Sequence, residues 1–232
     1  QLMYIMPHAL MSLFLPVLAG FHAQNKLSEL RRTYQVITKW VLTTNIVPFI
    51  LFFIFSKEIL RIIFSEEYIA GSMVLIILAS GYFINYLTAS SYYVLLTYNK
   101  TKITLAIATI GLISNIVLNL ILIPKFGING AAIATSISLI LIGLLRYLYC
   151  YKILDLNLFT FKVGRIFFAG IISFIILYYI EGLFVTRGIL TLGFLSLSLT
   201  LIFISSLFIT KSLEKEDMMI LRSIYKKITG YL

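Results

Sequence analysis

Long apolar stretches alternate with short polar ones along the chain. Seven stretches carry no Lys, Arg, Asp or Glu across their centres, and they cover residues 2–21, 36–56, 71–97, 103–124, 127–149, 166–182 and 188–210. A helix needs about 20 apolar residues to cross a bilayer, whereas a strand of a membrane barrel needs only about ten alternating ones. Because the lipid core offers no water to the backbone, stretches of this length are expected to be helical. The pattern therefore predicts an all-α fold, a polytopic transmembrane helix bundle of about seven spans.

The composition narrows the possible function classes. Hydrophobic residues make up 60% of the 232 residues, charged residues make up 12%, and the mean hydropathy is +1.01. Soluble domains carry about 25% charged residues. The single cysteine, Cys150, excludes a disulfide framework, and no phosphate-binding loop, metal-ligand cluster or Ser-His-Asp set can be assembled. The sequence thus predicts a membrane protein that is not an enzyme and has no catalytic residues, no metal site and no cofactor.

The positive charges follow the alternation of the loops. The net charge is +10, but no basic run with interleaved aromatic residues indicates a nucleic-acid partner. Fifteen of the 19 Lys and Arg residues lie in the alternate loops 22–39, 98–102, 146–165 and 211–232. Because Lys and Arg are enriched in cytoplasmic loops, we predict a multi-pass protein of the plasma membrane with a cytoplasmic C-terminus. Gln1 is then outside, and further helices are expected upstream of it.

Charged residues at the ends of the apolar stretches have simple interpretations. Lys39 and Arg146 are predicted to anchor the second and fifth spans at the membrane interface. Residues 56–68 mix Ile and Phe with charges and are predicted to lie along the outer interface. In that segment Glu66 and Glu67 are interpreted as a solvated pair, with a catalytic or cation-binding pair as the alternative.

The segment "LIPKFGINGAAIATSIS", residues 122–138, predicts a tight hairpin between two spans. Pro124 is expected to end the first helix, because proline cannot continue the hydrogen-bond ladder, and Gly127 lies in the short external turn. In the next helix Gly127 and Ala131 are four residues apart, as are Gly130 and Ala134. Small residues at this spacing let two helices pack closely in lipid, where dispersion contacts hold them together.

Polar residues inside the spans are the candidates for substrate contact, since an ionisable group within the membrane is a functional hypothesis by default. His8 either binds the substrate or a coupling proton, or donates a hydrogen bond to a carbonyl freed by a nearby proline. Asn45 and Asn85 add polar groups at mid-span positions. Asn115 and Asn119, four residues apart, either bridge to a neighbouring helix or line a wet cavity.

The segment "SNIVLNLILIPKFGINGAAIATSIS", residues 114–138, resembles the signature of the polysaccharide-repeat-unit flippases. These flippases belong to the multidrug/oligosaccharidyl-lipid/polysaccharide exporter superfamily, in which an Asn-bearing helix ends at a proline and a Gly-x-x-Gly-Ala-Ala-x-Ala-Thr helix follows. The resemblance extends over nearly the whole chain, through "PHALMSLFLPVLAGFHAQNKLSELRRTY", "FSEEYIAGSMVLIILASGYF" and "KSLEKEDMMILR". Related multidrug exporters carry versions of the same block.

The resemblance implies two six-helix lobes that face a central cavity, with two extra helices in the flippases. Residues 1–153 would then form five spans of the C-terminal lobe, and residues 154–210 would form the two additional transmembrane helices. Residues 211–232 would form a cytoplasmic amphipathic tail that lies near anionic lipid. The N-terminal lobe of the same protein would be a partner outside this sequence.

The resemblance also implies a function. The protein would flip a polyprenyl-diphosphate-linked oligosaccharide, a polysaccharide repeat unit, across the plasma membrane of a prokaryote by alternating access. Its partners would be membrane lipid and the lipid-linked glycan, and an ion gradient or the membrane potential would supply the energy. The cavity of such a flippase is expected to be basic, and Arg31, Arg32 and Lys39 at the cytoplasmic mouth are the candidates in this chain.

Apolar residues of the last two spans either form a groove for the lipid tail or face bulk lipid. They are Phe167, Phe168, Phe174, Leu177, Leu192, Phe194, Leu197 and Leu201. Two alternative functions remain open. One is an ion-coupled, multidrug-type exporter of small amphiphilic molecules, and the other is a membrane glycan polymerase or glycosyltransferase that would use Glu66, Glu67 and Arg61.

Overall fold

The computed structural model describes residues 2–155, 161–182 and 188–212, and these residues form helices joined by short turns. The helices in these ranges are α1 (Leu2–Ala23), α2 (Leu27–Ile54), α3 (Ser56–Ile63), a short 3₁₀ helix (Glu66–Gly71), α4 (Ser72–Leu87), α5 (Ala89–Thr97), α6 (Thr101–Leu154), α7 (Phe161–Glu181) and α8 (Ile189–Ile209). Five helical stretches are long and apolar enough to cross a membrane, and α1 contains a shorter apolar helix. The predicted all-α transmembrane bundle is confirmed.

The longest helix, α6, is a hairpin of two antiparallel rods. Gly127 has φ 56° and ψ −134° inside it, so α6 divides into α6a (101–126) and α6b (128–154). The predicted turn is therefore present, but the break lies at Gly127 and not at Pro124. Pro124 lacks a backbone amide and therefore removes only one helical hydrogen bond near the end of α6a. Reversal of the chain direction needs a positive φ, which glycine adopts readily.

The third predicted span, 71–97, is not one continuous helix. It is broken at Thr88, which separates α4 from α5 and has φ −105° and ψ 5°. The Thr88 side chain donates a hydrogen bond to the carbonyl of Asn85 at 2.9 Å. Ser and Thr hydroxyls that bond backward along a helix tend to bend it. Hydropathy alone could not reveal this break, because both parts are apolar.

The second helix begins nine residues before the predicted span, 36–56. Helix α2 starts at Leu27, because its polar first turns contain good helix formers and continue directly into the apolar part. Lys39 therefore lies well inside the helix, with only 6% of its surface exposed. The role of Lys39 as an interface anchor stays a prediction.

Helix α2 lies at the centre of the packing. Its first half packs with α1 and α5 around Leu30, Tyr34 and Val94, and its second half packs with α4, α7 and α8 around Ile46 and Phe83. Helix α4 also packs along α6, and α7 pairs with α8. This arrangement leaves space on both sides of the contact between α4 and α6b.

A candidate substrate cavity

A cavity of about 490 Å³ opens between α1, α4, α5 and α6b. Its volume falls within the range of about 300–1,000 Å³ that is usual for small-molecule sites. The residues that line it include a histidine, an asparagine, an arginine and four tyrosines: Pro7, His8, Met11, Tyr82, Asn85, Tyr86, Ala89, Tyr92, Tyr93, Leu139 and Arg146. The structure thus brings two of the predicted candidates, His8 and Asn85, to one cavity.

Arg146 supplies the positive charge of this cavity. Its guanidinium carbon lies 4.8 Å from the centroid of the Tyr92 ring, a geometry in which the ring stabilises the cation. Its Nε atom is buried and has no hydrogen-bond partner among the described residues. A buried donor without an acceptor is costly, so Arg146 is well suited to bind an anionic group that enters the cavity.

Arg146, which the sequence predicts to be an interface anchor, also lines the cavity. Helix α6b continues to Leu154, and Arg146 points into the cavity from a position two turns earlier. A signal for this was present, because Leu139 and Arg146 are seven residues apart and therefore share one face of a helix. Spacings of three, four and seven residues from Tyr82 likewise relate the lining residues Asn85, Tyr86 and Ala89.

Asn85 connects the two walls of the cavity. Its side-chain amide donates a hydrogen bond to the carbonyl of Leu139 at 2.6 Å, which ties α4 to α6b. The opposite side of the cavity is formed by Pro7, His8 and Met11 of α1. Asn85 therefore has a structural bond and a cavity position together, while His8 reaches the cavity from a proline-containing helix.

Four tyrosines line the cavity, and the sequence analysis did not single them out. Tyr82 and Tyr86 are stacked, with ring centroids 6.1 Å apart, and Tyr92 and Tyr93 meet edge to face at 5.2 Å. Tyrosine combines a large apolar ring with a hydroxyl that can bond a polar ligand. The wall can therefore contact both the faces of sugar rings and their hydroxyl groups.

The other predicted asparagines do not line this cavity. Asn45 is 1% exposed, and its amide donates to the carbonyl of Val41 within α2 at 2.9 Å. On α6a, the Asn119 amide donates to the Asn115 side-chain oxygen at 3.0 Å. These two carboxamides bond each other along one helix and make no hydrogen bond to a neighbouring helix in the described part of the chain.

The basic residues predicted at the cytoplasmic mouth also lie away from the cavity. Arg31 is half-buried near the start of α2, Arg32 is exposed and Lys39 is buried. Near Arg31, the rings of His22 and Tyr98 pack with centroids 4.2 Å apart. Burial raises the pKa of the Tyr98 phenol, and the positive charge of Arg31 opposes that shift.

The small residues of the hairpin have two different roles. A Cβ at Gly130 would lie 2.5 Å from the carbonyl carbon of Leu122, so α6a and α6b approach more closely there than a side chain would permit. Ala134 is fully buried in the same helix, and Ala131 is half-buried. Gly127 has open space around it, which shows that its contribution is the positive φ of the turn and not close packing.

Two apolar pockets lie on the other side of α4. One, of about 180 Å³, is lined by Thr38, Ile84, Leu87, Thr88, Ile140, Leu144, Tyr147, Val163 and Phe167. The other, of about 220 Å³, is lined by Ile46, Phe49, Ile50, Phe83, Phe167, Gly170, Ile171 and Phe174. Phe167 of α7 borders both pockets, so together they follow α7 where it packs against α2 and α4.

The eight apolar residues that were considered for a lipid-tail groove divide between several positions. Phe167 and Phe174 line the two apolar pockets, and Leu177 is fully buried in the core. Leu192 borders a small separate pocket. The other four are 56–60% exposed on the outside of the bundle: Phe168, Phe194, Leu197 and Leu201.

The charged pair near α3 is solvated. The Nε atom of Arg61 lies 3.6 Å from a carboxylate oxygen of Glu66, and the two side chains are 44% and 84% exposed. Glu67 is exposed as well. No enclosed site forms around these residues, which agrees with the interpretation of a surface pair.

Comparison with known proteins supplies the family. The MatE family model matches residues 1–121, which is more than half of the chain. The chain belongs to the MatE family. This confirms the resemblance to the multidrug/oligosaccharidyl-lipid/polysaccharide exporter superfamily, and the family comprises transporters and not enzymes.

Individual relatives cover parts of this MatE chain. An uncharacterized membrane protein of Methanocaldococcus jannaschii is 28% identical over 129 residues, which is 56% of this chain and 25% of the relative. The "Probable low-salt glycan biosynthesis flippase Agl15" of Haloferax volcanii is 38% identical over 85 residues, which is 37% of this chain and 18% of the relative. The chain thus spans a quarter or less of the curated relatives that it matches.

A solved structure resembles the MatE chain over nearly its full length. The lipid II flippase MurJ, in an inward closed conformation, aligns with a TM-score of 0.67 and 22% identity and covers 93% of this chain. The chain corresponds to 46% of that protein. The likeness shows a shared fold. The family match covers α1 to α5 and most of α6a, so Arg146 on α6b and the α7–α8 pair lie beyond the matched residues.

Proposed function

We propose that the protein is part of a flippase that moves a polyprenyl-diphosphate-linked oligosaccharide from the cytoplasmic to the outer leaflet of a prokaryotic plasma membrane. The observation that carries this proposal is the pairing of a polar, aromatic cavity with apolar pockets across one helix layer. An amphiphilic cargo needs both environments. The names of two similar proteins, a probable glycan biosynthesis flippase and a lipid II flippase, are consistent with it.

The chemistry of the cavity suits the head of such a cargo. A guanidinium binds phosphate oxygens through paired, charge-assisted hydrogen bonds, and Arg146 has a buried Nε donor to offer. The tyrosines would contact the sugar rings. His8 and Asn85 add polar contacts, so the head would be held by groups from α1, α4, α5 and α6b.

The apolar pockets suit the tail. Each methylene group that moves from water to an apolar site contributes about 0.8 kcal/mol, although in a bilayer the gain over lipid is much smaller. The pockets along α7 would therefore guide the prenyl chain more than they would bind it. Phe167 would contact the chain at both pockets.

The proposed mechanism is alternating access between two lobes. Residues 1–153 would contribute five spans to a C-terminal lobe, residues 154–210 would be the two additional helices, and residues 211–232 would form a cytoplasmic tail. A second lobe of the same protein would close the cavity on its open side. In this arrangement the C-terminus would be cytoplasmic, as the distribution of basic loops predicts, and an ion gradient or the membrane potential would drive the cycle.

The proposal can be tested with the full-length protein in lipid vesicles. The cargo is a polyprenyl-diphosphate-linked oligosaccharide with a fluorophore on the sugar, and dithionite added outside destroys only the fluorophores of the outer leaflet. Flipping is expected to raise the quenched fraction well above that of protein-free vesicles. An unchanged fraction, together with export of a cationic amphiphilic dye, would instead support the multidrug-type alternative.

A further inference from the structure

The break at Thr88 lies within the wall of the cavity. The Thr88 amide bonds the carbonyl of Asn85, only three residues back, at 3.2 Å, and the Ser91 amide bonds the carbonyl of Thr88 at 3.0 Å. The Thr88 hydroxyl donates to the same Asn85 carbonyl at 2.9 Å. Sharp helix bends usually have a proline, a glycine or an inserted side chain as their cause. Here the Thr88 hydroxyl takes the place of such a residue. A hydrogen bond of this kind can be exchanged for one to another acceptor.

The part before the break is fastened to α6b. The Asn85 amide donates to the Leu139 carbonyl at 2.6 Å, and the Ser136 hydroxyl donates to the Ile77 carbonyl at 2.8 Å. The two helices also touch closely, because a Cβ at Gly81 would lie 2.6 Å from the Cα of Ser136. Helices α4 and α6b therefore form one unit.

The part after the break packs against α1 and α6, and it is also fastened to α2. Two buried hydroxyl pairs join α5 to α2: Tyr34 with Ser91 at 2.9 Å, and Thr38 with Ser90 at 2.6 Å. We call these four residues the hydroxyl latch. Thr38 also donates to the carbonyl of Tyr34 in its own helix at 2.9 Å. Because Ser and Thr hydroxyls can satisfy themselves on their own backbone, the Thr38–Ser90 pair can open with a small loss of hydrogen bonding.

Space is present on both sides of the break. The cavity of about 490 Å³ reaches Ala89 and Tyr92 of α5, and the apolar pocket of about 180 Å³ borders Thr38 and Thr88. Close-packed interiors rarely contain voids of this size. Gly143 of α6b lies close against Thr88, since a Cβ there would be 2.5 Å from the Thr88 hydroxyl oxygen. The cavity and the pocket leave room for a change of angle at Thr88.

We propose that Thr88 is a hinge and that the hydroxyl latch holds α5 against α2 in one state of the transport cycle. When the latch opens, α5 turns about Thr88 and carries Tyr92 with it, while α4 remains with α6b. The Tyr92 ring stabilises the guanidinium of Arg146. This movement would therefore change how Arg146 binds the cargo. The consequence for transport rests on the proposed function, whereas the hinge itself does not.

Cross-linking tests the hinge in the flipping assay. The full-length protein carries Thr38→Cys and Ser90→Cys, with Cys150→Ser to remove the native thiol. The control carries Ser173→Cys and Ser206→Cys, whose native hydroxyl oxygens lie 3.3 Å apart between α7 and α8. Oxidation of the latch pair is expected to slow flipping at least about tenfold, as for other gated transport steps, and reductant should restore it. The oxidised control should keep its rate. Undiminished flipping with the latch cross-link fully formed would overturn the proposal.

A second measurement requires no cargo. Spin labels at Glu29→Cys and Lys100→Cys, both exposed positions near the ends of α2 and α5, report the distance between these helices in the Cys150→Ser background. Thr38→Val with Ser90→Ala is expected to shift the distance distribution, and Ser173→Ala with Ser206→Ala is not. An unchanged distribution after removal of the latch would contradict the hinge. A shift in a protein that flips no lipid-linked saccharide would support the hinge and contradict the proposed function.

Discussion

The two faces of the α4–α6b pair differ sharply in chemistry although neighbouring residues form them. Asn85 and Leu139 border the polar cavity, and Leu87 and Ile140 border the apolar pocket of about 180 Å³. One helix layer thus separates an environment for a charged, hydroxylated group from an environment for a hydrocarbon chain. In the proposed function, a single wall would contact both parts of an amphiphilic cargo.

The thinness of this wall depends on missing side chains. Gly81 lies against the backbone of Ser136, and Gly143 lies against Thr88 and Asn85. Larger residues at these positions would separate the helices and connect the two environments. The following changes test the contrast, beginning with the one that should have the largest effect.

Gly81→Leu should destabilise the wall most. A Cβ at this position would lie 2.6 Å from three atoms of Ser136, and overpacking of this kind costs about 1–3 kcal/mol. We expect a clear fall in the thermal unfolding temperature in detergent and loss of flipping. The matched control is Gly193→Leu, where nothing lies within 4 Å. Equal stability of the two variants would refute the close contact.

Arg146→Gln should affect the polar face alone. Loss of a charge-assisted hydrogen bond corresponds to about 1.5–3 kcal/mol, so we expect roughly tenfold to hundredfold weaker transport of a diphosphate-linked cargo with little change in stability. Arg146→Lys should recover part of the activity. Arg165→Gln serves as the control, because Arg165 lies 4.7 Å over the Phe161 ring but outside the cavity. If both Gln variants were equally active, the cavity would not bind an anion through Arg146.

Phe167→Ala should affect the apolar face. The ring borders both apolar pockets, and its removal would join and widen them. We expect a loss of discrimination between long and short prenyl chains by a few-fold, or about 1 kcal/mol. The comparison is the flipping rate of two cargoes with the same sugar. Phe168→Ala, at a side chain that is 60% exposed, should behave as the unmodified protein, and a similar loss in both variants would argue against a specific groove.

His8→Ala should have the smallest effect. The side chain lines the cavity beside Pro7 and Met11, and loss of one hydrogen bond would weaken transport about two- to threefold, or about 0.5 kcal/mol. The dependence of transport on pH distinguishes a proton carrier from a contact residue. A dependence that is unchanged in His8→Ala would exclude His8 as the coupling group, and His22→Ala, outside the cavity, controls for a general effect of histidine removal.

The features that could be predicted from sequence are those that hydropathy and local backbone preferences determine. The apolar stretches marked the helices, and the Pro-Gly-rich segment marked the hairpin of α6. Thr88 could not be identified as a break, because a hydroxyl bond to the preceding turn leaves no trace in the apolar pattern. The burial of Lys39 and the cavity position of Arg146 could not be predicted for a related reason: helices continue beyond the apolar stretch, so the end of the stretch does not show what a residue there contacts.

The cavity was only partly predictable because it depends on the relative rotation of four helices. His8 and Asn85 were candidates as polar residues in apolar surroundings, and both reach the cavity. Asn45, Asn115 and Asn119 met the same criterion, yet their amides bond within their own helices. The four tyrosines could not be identified as cavity residues, because aromatic residues in a membrane helix usually indicate packing or an interface.

The turn at Gly127 has a consequence for biogenesis. Its two rods are contiguous in the chain and touch at Gly130 and Leu122, so this contact closes over a very short loop and should form early. The contact of Gly170 with Ile46 joins distant parts of the chain and cannot form until α7 has been synthesised. The hairpin would therefore enter the bilayer as a preassembled pair, and α7 would pack against the bundle later.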